Sequence, residues 1–424
     1  MSEVQVKGNP NSGLLGATLG FFVGFAAVSL FGPTVVFLQE VVGLSAALAG
    51  LLISIPNLSG SLLRIPFAAM VEKDGGRRPF LVLLILSLLG VVGIWLVMIQ
   101  PAATIADLFP LLLGLGVLGG CGIATFSVGI GQTSYWFPQN RQGTALGIYA
   151  GIGNLAPGIF ALVLTGLTIP RLGLPGSYLI WSIFLALGIL AYLVTGRNAW
   201  FFQYRRAGLP DEQARVRAEQ DGQQLFPNGK ALESLKASAK IPQTWMLVLV
   251  YFTTFGGFLA LTAWLPKFGI GYMGFDLGVA GMLTAAYSIG ASLLRVAGGK
   301  LSDIFGGRQT ALLSLGAGLV GSLMVALMPR GAGTIAGLLV MALGMGVGNA
   351  AVFKLVPQFV PRAVGGAAGW IGGLGAFGGF VIPLGLAAVL ESSGYAQGFW
   401  IFAGLFVLAL MMIIALDGQK TKEE

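Results

Sequence analysis

The chain has no histidine, a single cysteine (Cys121), and only 16 acidic residues among 424. One cysteine excludes a disulfide framework within the chain. Without histidine, and with Cys121 inside an apolar run, His/Cys metal chemistry is nearly excluded, so no metal and no cofactor is expected. Charged residues make up 9% of the sequence, against roughly 25% in a soluble domain. So few charges cannot cover a water-facing surface. Paired carboxylates and nucleophile–base pairs are also missing, which argues against an enzyme. A sensor would carry a sizeable soluble output domain, and the only long polar stretch is residues 197–242. A cation or drug exporter would want buried acids, and those are lacking too.

Apolar sequence fills the remainder. The composition is 56% hydrophobic with a mean hydropathy of +0.86, so lipid is the solvent for most of the chain. Its 67 glycines suit close packing between membrane helices. A span needs about 20 apolar residues. That length places twelve spans at 14–38, 45–71, 79–99, 105–134, 143–167, 176–196, 243–267, 276–301, 309–328, 333–356, 363–390 and 395–416. The fold class is therefore an all-α polytopic membrane protein. It divides into an N-terminal six-helix bundle (1–196), a linker (197–242) and a C-terminal six-helix bundle (243–424). Within the linker, Pro210, Asp211 and Glu212 start a short helix and Gly222 stops it.

Basic residues give the orientation. With both termini on one face, 18 of the 24 Lys and Arg lie there, including Lys7, Lys73, Arg77, Arg78, Arg141, eight in the linker, Lys300, Arg308, Arg362, Lys420 and Lys422. Only Arg171, Lys267 and Arg330 lie opposite, while Arg64, Arg295 and Lys354 fall within spans. Both termini and the linker are accordingly expected in the cytoplasm, and the chain in the inner (plasma) membrane. This bias accounts for the net charge of +8 without nucleic acid.

The chain repeats itself at an offset of 231 residues. Ser61–Arg64 and Ser292–Arg295 both read SLLR, and each arginine is followed thirteen residues later by another after two glycines, at Gly75-Gly76-Arg77 and Gly306-Gly307-Arg308. Ala68, Glu72 and Arg77 overlay Gly299, Asp303 and Arg308 in the loops after spans 2 and 8. This pattern resembles the loop motif of the major facilitator superfamily, with Ala for Gly and Glu for Asp in the first copy. The resemblance implies two bundles related by a pseudo-twofold axis along the membrane normal, with the substrate site between them near the midplane. It also implies a charge latch between neighbouring helices at Glu72, Arg77, Asp303 and Arg308.

An arginine at the bilayer centre costs about 2.5–3.5 kcal/mol on insertion scales. Every acid falls in a loop, a tail or a span end, so Arg64 and Arg295 have no evident ionic partner. Matched by the repeat, they face each other across the axis and form an anion site. The competing reading is that each snorkels to the interface. Lys354, toward the end of span 10, is expected to snorkel; Asn349 would lie deeper.

Spans 5 and 11 are rich in glycine: AGIGN at 150–154, and glycines at 365, 366, 369, 372, 373, 375, 378 and 379. Close helix packing explains much of this. Together with GGLGAFGGFVIP (372–383), GVGN (346–349) and VFKLVP (352–357), these segments look like the signature motifs of the nitrate/nitrite porter family. Ala156-Pro157 departs from the pattern. The resemblance implies signature glycines at Gly151, Gly153, Gly372, Gly373 and Gly375, and an anion clamp at Arg64 and Arg295. Asn154 would donate an amide, and Tyr251, Phe255 and Phe126 would supply aromatic walls. Nitrate is flat and weakly hydrated, which suits a guanidinium fork between rings; ordinary packing remains the alternative for Phe126 and Phe255. Two arginines against one monovalent anion favour nitrate/nitrite exchange, since the empty cavity keeps an unneutralised charge that resists reorientation. Nitrate/proton symport and transport of another small monovalent anion are the alternatives. The chain is expected to act as a monomer.

Overall fold

The computed structural model describes residues 5–227 and 229–416. Lys420 and Lys422, counted above in the basic bias, lie outside them. Eleven helical stretches are long and apolar enough to cross a bilayer. One of them, Gln139–Thr195, runs for 57 residues. At 1.5 Å per residue that is nearly three times the roughly 30 Å of a bilayer core, and Gly173 breaks it with φ +64° and ψ −172°. Fifth and sixth spans meet there, so the chain crosses twelve times. The bundles pack around a continuous apolar core that includes Phe21, Phe126, Tyr251 and Phe255.

Local chemistry sets the helix ends. Asn9 accepts from the Ser12 amide and the Ser12 hydroxyl takes the Asn9 amide, closing a capping box on span 1. Ser45 caps span 2 and Asp276 caps span 8. The two motif loops end their spans at Gly75 (φ +76°) and Gly306 (φ +85°), conformations that strain any residue with a Cβ.

Several expectations need correction. Span 1 stops at Ser29, and the chain bends through Gly32 and Pro33 into a separate helix, Val35–Val42. Span 4 is not continuous from 105; Ala102–Asp107 is its own short helix and the span begins at Phe109, with Pro110 at its second position. Span 2 breaks at Leu63 into Ala46–Leu62 and Arg64–Asp74, because Pro66 offers no amide to the carbonyl of Leu62. Span 8 has no such proline and runs unbroken from Leu277 to Phe305. The repeat is thus asymmetric at its arginine.

Three linker helices follow span 6: Trp200–Arg206, Asp211–Gln220 and Ala231–Ala239. The first two form a small apolar cluster with Trp136 at the end of span 4. The third lies under span 11, where the Gly366 amide donates to Ser234 Oγ and Trp370 Nε1 to the Leu235 carbonyl. Contacts between the halves are heaviest on the face away from the termini, where span 2 packs on span 11 and the outer part of span 5 on span 8.

Candidate functional site: two arginines on one pair of rings

The break in span 2 delivers Arg64 into the protein interior, where it is 1% exposed. Nε donates to the Gly60 carbonyl at 3.0 Å, within its own span. Nη1 donates at 3.2 Å to the Gly372 carbonyl, on the opposite half. Nη2 is buried with no partner. Arg295, half-buried on span 8, makes one hydrogen bond among the described residues, Nη2 to the Tyr251 hydroxyl at 3.5 Å, the outer limit of such a bond. Its Nη1 is buried without a partner.

The same two rings serve both arginines. The guanidinium carbon of Arg64 lies 4.8 Å from the Phe126 centroid and 5.1 Å from that of Phe255. For Arg295 the distances are 5.5 and 5.4 Å. Phe126 and Phe255 stack with centroids 5.8 Å apart. Each cation–ring contact is worth about 0.5–2 kcal/mol, which offsets part of the cost of burying two like charges. Among the described residues, no carboxylate lies within 4 Å of either arginine.

The surroundings explain the local sequence. Span 7 widens into a π turn at Phe252–Gly256 and span 11 into another at Ile371–Gly375; single π turns cluster at functional sites. The first is flanked by Tyr251 and contains Phe255, whose rings stack at 4.9 Å. Phe353 meets Tyr251 edge-on at 5.1 Å. The second holds Gly372, whose carbonyl receives Arg64. A Cβ on Gly375 would lie 2.7 Å from the Tyr251 ring, and one on Gly373 would lie 2.6 Å from Ile65. On Gly153 it would fall 1.8 Å from Phe21, and on Gly151 it would be 3.2 Å from Val296. Gly372 alone of these five has room, its nearest neighbour being Ser127 Oγ at 3.9 Å. Close packing, as one of the two sequence readings held, therefore accounts for most of the signature glycines, and the rings they admit belong to the site.

The structure gathers Arg64, Arg295, Phe126, Tyr251 and Phe255 in one frame. Asn154 caps the inner helix of span 5 and makes no hydrogen bond with either arginine; its backbone carbonyl accepts from Ser292 Oγ at 2.9 Å. Its Oδ1 is buried and unpartnered, as are Asn349 Oδ1, Ser61 Oγ, Ser288 Oγ and both side-chain atoms of Asn57. Asn57 and Ser288 are equivalents in the 231-residue repeat, each two helical turns from its arginine and on the same face. Unsatisfied buried polar groups cost about 1–3 kcal/mol each, so a lining of this kind suits a polar visitor. Sequence reasoning missed Phe21, whose ring lies tilted 5.3 Å from Phe126 and stacks 5.0 Å from Tyr149. The only signal was the bare glycine at 153 that it packs against.

The motif loops differ from the simple latch. Asp303 pairs with Lys354 at 2.5 Å, joining spans 8 and 10, so Lys354 has a carboxylate partner in addition to water. Glu72 accepts the Ala231 amide of the third linker helix instead of a charged partner. Arg77 donates Nη2 to the Leu193 carbonyl and its amide to Asn198. Arg308 starts span 9. Lys267, the last residue of span 7 as drawn from the sequence and counted on the face away from the termini, is 4% exposed, and the span continues past it to Gly271. Among the described residues no three His, Cys, Asp or Glu side chains converge as metal ligands would.

Two helical halves meeting at a cation pair inside the protein are a transporter's architecture, and the sequence matches the Major Facilitator Superfamily over residues 17–329 and 272–424. The chain belongs to the major facilitator superfamily. Within it the chain falls in the nitrate/nitrite porter family, in line with the motifs of spans 5 and 11. It is 30% identical to a probable nitrate/nitrite antiporter of Thermus thermophilus, covering 94% of this chain and 89% of that one. It is 29% identical to a nitrite extrusion protein of Bacillus subtilis, covering 95% and 93%. In fold it is similar to the xylose transporter of E. coli in its inward-open conformation, with a TM-score of 0.73 over 95% of each chain at 15% identity. Membership makes this major facilitator protein a multi-pass membrane transporter and not an enzyme.

Proposed function

We propose that this major facilitator protein exchanges nitrate for nitrite across the plasma membrane by alternating access, with Arg64 and Arg295 as the anion clamp. One observation carries the reading: one buried and one half-buried guanidinium share one ring pair, each keeps a buried, unpartnered nitrogen, and among the described residues neither has a carboxylate within 4 Å. A flat monovalent anion between them would take Arg64 Nη2 and Arg295 Nη1 while Phe126 and Phe255 exclude water. Phe126, Phe255 and Tyr251 form the walls, and Asn154 supplies an amide from span 5. The glycines at 151, 153, 373 and 375 hold the helices close. Residues 1–196 and 243–424 rock about this site, tethered by 197–242, and the basic bias puts the termini and linker in the cytoplasm. One chain supplies the whole frame, so the unit of transport is a monomer.

Exchange is favoured over proton symport. No histidine exists, and Glu72, Asp303 and Glu391 sit in the outer turns of their spans. An empty clamp leaves two cations facing each other, which opposes the return of the unloaded carrier. The test is counterflow in proteoliposomes. Nitrate uptake should require internal nitrite and ignore a pH gradient; uptake into nitrite-free vesicles with external alkalinisation would establish symport instead. Competition by chloride and formate tests the anion.

A further inference from the structure

A third cation lies in the interior, far from the clamp. Lys267 is twelve residues beyond Phe255 on span 7, or about 18 Å at the helical rise, near the face away from the termini. A lysine so close to a span end ordinarily snorkels to the interface. Here it is 4% exposed, and its ammonium donates to Oε1 of Gln39, on the other half. Among the described residues no carboxylate lies within 4 Å of it. Among the described residues the neutral amide of Gln39 is its side-chain hydrogen-bond partner.

Gln39 is well fixed for that task. It lies in the last turns of Val35–Val42, which ends at Gly43 with φ +70°. Its Nε2 donates to the Leu44 carbonyl, which turns Oε1 toward Lys267. Just inside this contact the bend after the first span touches the seventh span backbone to backbone: a Cβ on Gly32 would lie 2.3 Å from the Ala263 carbonyl. Beside it, Glu391 of span 11 accepts the Ala47 amide of span 2. These contacts close the far mouth in this conformation. Pro266, next to Lys267, removes a backbone bond to Thr262 and gives span 7 a point of weakness there.

Alternating access requires this mouth to open. Parting spans 1 and 7 strips Gln39 from Lys267 and leaves an ammonium facing the incoming water. We propose that Lys267 is a second anion station at the far mouth. It is masked by Gln39 when the mouth is closed, and it takes the same small monovalent anion as the arginine clamp when the mouth opens. This rests on the anion-exchange reading above.

The test is sided exchange in proteoliposomes of defined orientation, with nitrate and nitrite as the probes. Lys267→Gln keeps a hydrogen bond to Gln39 and loses the charge. It should raise KM for anion offered at the far face about tenfold, the scale of one charged hydrogen bond, and leave KM at the termini face within about twofold. Lys267→Arg should restore far-face KM. Gln39→Leu unmasks the ammonium and should lower far-face KM. A residue that only latched the mouth would behave oppositely: its loss favours the open mouth and lowers far-face KM. A lowered or unchanged far-face KM in Lys267→Gln, beside an Arg64→Lys variant that has lost exchange, overturns the second station. Normal KM at both faces in Arg64→Lys overturns the clamp, and the station with it.

Discussion

Replacing Arg64 by lysine keeps the charge and removes the fork. In the wild type the guanidinium spends two donors on carbonyls, Gly60 and Gly372, and holds Nη2 in reserve. A lysine ammonium is compact and cannot reach both carbonyls, lie against both rings and present a donor to an anion in one plane. Losing a charged hydrogen bond to the anion costs about 1.5–3 kcal/mol. Weaker stacking on Phe126 and Phe255 adds about 0.5–1 kcal/mol. The sum, about 2–4 kcal/mol, corresponds to a fall in nitrate affinity of roughly 30- to 1,000-fold. Titration calorimetry on the purified protein reads it directly, with thermal unfolding as the control. Arg295→Lys should weaken binding on the same scale and disturb folding less, because among the described residues the hydrogen bonding of Arg295 is limited to the long contact with Tyr251. Affinity within threefold of wild type in both variants would refute the clamp.

The glycines give a sharper contrast. Gly372→Ala should retain exchange, since its Cβ meets nothing closer than 3.9 Å, whereas Gly375→Ala pushes on Tyr251 and should raise KM. Gly153→Ala sets a Cβ 1.8 Å from Phe21 and should destabilise the protein by at least about 1–3 kcal/mol, read as a lower unfolding temperature in detergent. Breaking the half-exposed Lys354–Asp303 pair by Asp303→Asn should change stability by no more than about 1 kcal/mol; a larger shift would show that the pair holds spans 8 and 10 together.

Hydropathy alone reveals the twelve crossings, because only apolar runs of this length survive in lipid. The arginine pair was legible for a related reason. A basic residue deep in a span is conspicuous, and a count of acids shows whether anything can neutralise it. Other features were hidden because they depend on direction and not on composition. A lysine one turn from a span end reads the same whether it reaches for water or turns inward, so the sequence placed Lys267 at the far face without showing its turn toward Gln39. Gly153 announces that something large is near, but only the packing of spans 1 and 5 says that it is Phe21. The π turns in spans 7 and 11 carry no residue pattern of their own. The break at Leu63 could have been read from Pro66, and its absence in span 8 already marks the two copies as unequal.

That tight fit between glycine and ring also bounds what this protein can become. At Gly153, Gly373 and Gly375 the helices already carry the smallest side chain there is, so no substitution at those positions can widen the passage. Room for a bulkier anion has to come from trimming Phe21, Ile65 or Tyr251 instead. Each such trim takes away packing that the glycines exist to permit. A lineage drifting toward larger substrates would therefore lose aromatic bulk first, and its glycines would fill in only afterward.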